Sequence, residues 1–197
     1  MYAQNMERKE QLPVGAEGYL QIPQWQMCTE NYQDAVLKAF SELSRVREFS
    51  FLNLRSGGIS PGSFRESEKS RILRSGLALE PSWYLPLMVP AQSGLRYKGQ
   101  SASRVREGMK GNEFCLGVFV VAYMLLTEPT LLACKEDLWI DCAGDEYHDE
   151  DHSVKPFDHV PFFCFRNGGL KFGVRWCEAE SPLAGSATAW VVPGPSP

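Results

Sequence analysis

All three histidines of the chain, His148, His152 and His159, fall within residues 144–159, and six carboxylates share that window. Imidazole and carboxylate together make a ligand set suited to Zn, Mn, Fe or Ni. His148 and His152 stand four residues apart, so a helical turn would put them on one face. Asp158 and His159 would close the site from the far side of the loop. This pattern predicts a divalent transition metal held by His148, His152, Asp158 and His159, and with it a metal-dependent enzyme. The bland alternative is a solvated acidic loop between two strands. The spacing fits neither the His-Glu-x-x-His pattern of metalloproteases nor an EF-hand loop. No cofactor is expected otherwise.

The second chemical candidate is the basic middle of the chain. Residues 45–110 hold 12 Lys/Arg against 5 Asp/Glu, while residues 135–180 hold 5 against 11. Arg65, Arg71 and Arg74 fall on a predicted helix, and Arg104 and Arg106 follow in a polar stretch. Guanidinium groups beside free amides and a helix N-terminus can bind an anion or a phosphate. No P-loop or dinucleotide fingerprint is present. The plain alternative is the solvated face of a surface helix. The opposed charges also suit a protein partner or self-association. A net charge of −4 argues against nucleic acid as the partner.

Nucleophilic chemistry has less support. Cys142 lies near Asp141 and His148 in sequence, but its flanks are those of a strand, where a thiol is a buried, inert group. The six cysteines form no Cys-x-x-Cys pair, and the chain is long enough to fold without staples. The first ten residues lack the apolar segment of a signal peptide. Reduced cysteines and a cytoplasmic location are therefore expected.

The elements that must position these residues are read from periodicity. Residues 31–46 predict an amphipathic helix, capped by Asn31, with Tyr32, Val36, Ala39, Phe40 and Leu43 on its apolar face. Residues 18–25 predict a short edge strand or an extended arm, and residues 49–54 another strand. Ser63-Phe64-Arg65-Glu66 has the form of a capping box, which predicts a second helix over 64–75. Pro86 and Pro90 argue against a central strand between 82 and 90, and residues 92–112 read as a long loop or irregular crossover. Residues 114–134 approach the length of a membrane span with a single charge. Glu128 and Pro129 interrupt that run, and its first part is rich in Val, Phe and Tyr, so it reads as two strands joined by a turn, with no membrane role.

The clearest hairpin turns at Asn167-Gly168-Gly169. Beyond it Leu170, Phe172, Val174 and Trp176 alternate with Lys171, Gly173, Arg175 and Cys177, a period of two that sends the bulky set to one face. The face carrying Lys171 and Arg175 is expected to meet water.

The expected fold is α+β: a mainly antiparallel β-sandwich or partly closed barrel with one or two packed helices. Residues 1–197 read as a single domain, with mixed helix, loop and short strands over 1–112, a β-rich core over 113–192 and a tail over 193–197. The expected function is a binding or assembly module. Metal-dependent catalysis and anion binding are its alternatives.

Overall fold

The structure, a computed structural model, describes residues 12–52, 59–60, 62–77, 87–109, 111–148 and 154–191. In chain order its elements are β1 (Gly18–Ile22), α1 (Tyr32–Val46), β2 (Phe49–Phe51), β3 (Phe64–Glu66), α2 (Glu68–Leu77), β4 (Leu87–Gln92), α3 (Ala102–Gly108), β5 (Glu113–Cys115), α4 (Val118–Thr127), β6 (Trp139–Asp141), β7 (Asp145–Tyr147), β8 (His159–Arg166), β9 (Gly169–Trp176), β10 (Ala184–Ser186) and β11 (Thr188–Trp190). Among the described residues this is an α+β fold with two sheets and no closed barrel.

The smaller sheet is antiparallel, in the order β1-β4-β11-β5. The larger is mixed and has seven strands. One edge of β8 pairs with β9, and the other pairs with β6 and then β7. β10 adds to β6 and β2 adds to β9, both in parallel, while β3 adds to β7. The two sheets are stitched at Ala187. The chain leaves β10 of the large sheet there and enters β11 of the small one, with Ala187 accepting from Leu116 N at 2.9 Å and donating to Asp141 O at 3.1 Å.

Helix α1 forms for the reasons its sequence suggests. The Asn31 side chain accepts from Asp34 N at 2.9 Å, and Ala35, Val36, Ala39, Phe40 and Leu43 are buried. Phe40 reaches the large sheet, its ring 4.6 Å from that of Phe172 and 6.0 Å from that of Phe163. One apolar cluster contains residues from α1, α4 and both sheets. The opposite face of the large sheet is covered by α3, whose Ala102 and Val105 pack with Met109, Ala143 and Val160.

Four expectations are corrected. Residues 118–127 form helix α4, where strands were expected. Six of its ten residues are buried, so apolar side chains surround it on nearly every side and leave no 3.6-residue stripe to read. The second helix begins at Glu68, four residues later than the capping box implies, because Phe64–Glu66 are occupied as β3. Residues 87–92 form a strand paired on both sides despite Pro90. Pairing with β11 reaches only Ala91, so the ladder on that side ends where proline has no donor to give. Residues 102–108 form α3 inside what reads as a loop.

The hairpin at Asn167–Gly168 is as expected. Arg166 pairs with Gly169, leaving a two-residue turn with φ of 51° and 80°. Leu170, Phe172 and Val174 are buried on the α1 face, while Trp176 at the strand end is 44% exposed. The other face is not open to water: Arg175 lies there in a bidentate pair with Asp141, at 3.0 and 2.5 Å. No helix among the described residues is long and apolar enough to cross a membrane. The six cysteines are unpaired.

Candidate functional site

The register of β3 against β7 places Glu66 opposite Asp145, Arg65 opposite Glu146 and Phe64 opposite Tyr147. Directly opposed residues present their side chains to the same face. Phe64 and Tyr147 join the core cluster beneath the helices, so Glu66 and Asp145, two residues along, look onto that face as well. Arg65 and Glu146 look the other way and pair at 2.6 Å.

Two helices bring their ends to Asp145. Tyr32, the first residue of α1, donates its hydroxyl to Asp145 Oδ2 at 2.5 Å. Val118, the first residue of α4, donates its amide to the same oxygen at 2.7 Å. The N-cap of α4 is Gly117, which has no side chain to offer, so the cap comes from Asp145 across the fold. Glycine is required at Gly117 and Gly144 by close approach. A Cβ on Gly117 would lie 2.8 Å from both Asp145 Cγ and Tyr32 Oη, and one on Gly144 would lie 2.5 Å from the carbonyl oxygen of Cys115. From the opposite side Arg106 donates to the main-chain oxygens of Ala143 at 2.8 Å and Asp145 at 2.6 Å.

Asp145 Oδ1 is buried and has no hydrogen-bond partner among the described residues. Burial pushes the Asp145 carboxyl up to about 7, and the nearby Glu66 charge adds to this; the bonds from Tyr32 and Val118 and the Arg106 charge pull the other way. Burial, with the Asp145 charge behind it, holds the Tyr32 phenol well above its ordinary value, so Tyr32 stays a donor. The group lines a small recess of about 30 Å³ that opens to solvent. Trp25, Tyr32, Phe114 and Phe119 supply aromatic wall, and Glu66 and Ser70 supply further polar atoms. A carboxyl that exchanges its proton near neutral pH, at the wall of an aromatic recess, is suited to bind a donor or to trade a proton with one.

The residues singled out from sequence lie elsewhere. His148 follows β7 with its ring 5.6 Å from that of Phe157, and its Nδ1 is buried without a partner among the described residues. Asp158 Oδ2 accepts from the amides of Val154 and Lys155 at 2.9 Å each, and its Oδ1 lies 2.7 Å from His159 Nδ1. His159 opens β8 opposite Tyr147, with its ring 4.8 Å from that of Trp176. His152 lies outside the described residues. Among the described residues no group of three or more His, Cys, Asp or Glu is placed to hold a metal.

The arginines are dispersed. Arg65 stacks on Phe157 at 3.9 Å while pairing with Glu146, and Arg106 lies 4.0 Å from the same carboxylate. Arg104 reaches Glu180 at 3.5 Å. Arg71 and Arg74 belong to α2. Cys142 is fully buried, and that burial holds its thiol well above its ordinary value, which makes it inert.

No protein-family model matches the chain, and neither does any curated protein or solved structure. What the geometry defines is a two-sheet α+β protein with one buried carboxyl at the wall of an aromatic recess.

Proposed function

We propose that this chain is a binding module whose ligand enters the recess over Asp145 and gives a hydrogen-bond donor to Asp145 Oδ1. The observation that carries the reading is the unsatisfied oxygen. Buried polar atoms are paired in the great majority of cases, and an exception at the wall of a recess marks a place where a partner can come from outside. The surroundings suit a small organic molecule: mostly apolar wall and a few convergent polar groups.

The test is a fragment screen by two-dimensional amide NMR on the full chain. Fragments bearing a hydroxyl, amide or amine should shift the amides of Gly117 and Val118 and the Trp25 indole. The same fragments should leave these signals unmoved in Asp145→Asn, where an NH2 replaces the free oxygen. A screen whose hits all map away from these three residues would overturn the reading.

A second reading keeps a divalent transition metal at His148, His152, Asp158 and His159. It is favoured by the buried Nδ1 of His148, which has no partner among the described residues, and by the pairing of Tyr147 with His159, which draws the two histidine-bearing segments together. Elemental analysis of the purified chain tests it. Stoichiometric zinc, manganese, iron or nickel would favour it, and metal-free protein that takes up none on addition would remove it.

A further inference from the structure

We infer that the ligand of this recess competes with a proton for a single atom, Asp145 Oδ1, so that binding is switched off as the solution turns acid. This rests on the proposal that the recess binds a hydrogen-bond donor, and it adds how that binding is regulated.

The geometry leaves the proton one place to sit. Oδ2 accepts two bonds, from the Tyr32 hydroxyl at 2.5 Å and from the Val118 amide at 2.7 Å. A carboxylate oxygen with both lone pairs taken has none left for a proton. Neither donor is free to turn away. The Val118 amide is fixed in the first turn of α4, and the Tyr32 oxygen itself accepts from the Phe119 amide at 3.5 Å, which aims its hydrogen at Asp145. Oδ1 has no partner among the described residues. It lies beside Gly117, where any side chain would collide with it. The glycine that leaves Oδ1 open to a ligand leaves it open to a proton as well. Once protonated, Oδ1 is itself a donor, and a donor ligand meets hydrogen with hydrogen. The competition is for a lone pair, so it asks for no charge on the ligand.

Burial sets the pH at which the exchange falls. The groups facing Asp145 are Tyr32 from α1, the Val118 amide from α4, Glu66 from β3, Arg106 from α3 and the Cys142 thiol just before β7. Tyr32 and Cys142 are held well above their ordinary values and Arg106 is a permanent cation, so below neutrality the groups that change charge here are the carboxyls. The Asp145 carboxyl is pushed up to about 7. Apparent affinity scales with the fraction of chains in the competent, ionised form. It should level off above about 7 and fall about tenfold for each pH unit well below it.

The test uses two rings of the same shape. Pyrrole carries an N–H donor and no acceptor on its nitrogen, whereas furan has an oxygen there and no donor. Neither ionises between pH 5 and 8, so any pH dependence belongs to the protein. Each is titrated into the full chain at pH 5, 6, 7 and 8, following the Gly117 and Val118 amides and the Trp25 indole by NMR. Pyrrole should bind at pH 8, weaken about tenfold by pH 6 and about tenfold again by pH 5. Furan should bind at least several-fold more weakly than pyrrole at pH 8. Asp145→Asn should bind no pyrrole at any pH. Glu66→Gln keeps Asp145 and the α4 cap, which guards against a misfolded first variant. It should keep the tenfold falls but begin them at lower pH, because the Glu66 charge favours the protonated carboxyl. Pyrrole bound equally at all four pH values, or a pH dependence lost in Glu66→Gln, would overturn the competition and leave the donor site in place. Silence of pyrrole at these three residues, its retention by Asp145→Asn, or furan bound as tightly at pH 8 would overturn both.

Discussion

Asp145→Asn isolates the energetics of the buried carboxyl. The substitution keeps the shape, keeps an oxygen to accept from Tyr32 and Val118, and removes the charge. In the folded chain the carboxyl lies at about 7, against 3.8 as its ordinary value. The folded state therefore holds this proton more tightly than the unfolded one. The stability so gained is whole below about 3.8 and is lost as pH rises through about 7. With each tenfold change worth a little over 1 kcal/mol, the full swing is about 4 kcal/mol, and more than half of it falls between pH 5 and 8. The assay is urea unfolding of wild type and Asp145→Asn at half-unit steps of pH from 5 to 8. Titrations elsewhere cancel in the difference between the two curves. The variant should gain on the wild type by about 2–3 kcal/mol across that range. Tyr32→Phe, which removes a bond favouring the charged form, should move the midpoint of the wild-type swing to higher pH. Parallel stability curves for wild type and Asp145→Asn would refute the reasoning, because they would mean the carboxyl is as easily ionised folded as unfolded.

Arg175→Ala should cost about 3–5 kcal/mol by denaturant unfolding, since it strands the Asp141 carboxylate, which is fully buried. Val174→Lys, one residue back, should cost several kcal/mol for a different reason, an unpaired charge driven into the core beneath α1. Phe40→Ala empties the site where α1 meets Phe49, Phe51, Phe163 and Phe172, and should lower stability by about 3–5 kcal/mol in the same assay.

What was legible in the sequence is what local rules decide. The cap and stripe of α1, the edge position of β1 and the Asn167–Gly168 turn each rest on a few neighbouring residues, and each stands in the structure. The period of two in β9 was also legible, but the consequence drawn from it was not. Alternation tells which residues share a face and is silent about what covers that face. Here α3 and the Asp141 carboxylate cover it, and Arg175 is sunk where it was expected to meet water. Helix α4 escaped for the opposite reason: burial on nearly all sides erases the pattern by which helices are found. The recess was beyond local rules altogether. Tyr32 and Asp145 are 113 residues apart, and Glu66 stood inside an apparent capping box. The histidines drew attention by their concentration in one loop, whereas Asp145 in the same window had no distinguishing neighbour.

The contrast between Asp141 and Asp145 bears on whether the unsatisfied oxygen is meaningful. Both carboxylates are fully buried, four residues apart, on opposite faces of the same sheet. Asp141 has both oxygens bonded by one guanidinium, as a buried charge kept only for structure should. Asp145 has one oxygen bonded twice and the other, among the described residues, not at all. If the fold needed only a cap for α4, a Ser or Asn at position 117 would supply it locally, without burying an acid that titrates near neutrality. Instead the N-cap is glycine, which clears space for a carboxyl brought from another sheet strand, and that carboxyl keeps one oxygen in reserve. Local economy is broken here, at the wall of the aromatic recess. Such departures are expected where a chain gives up stability to do something else.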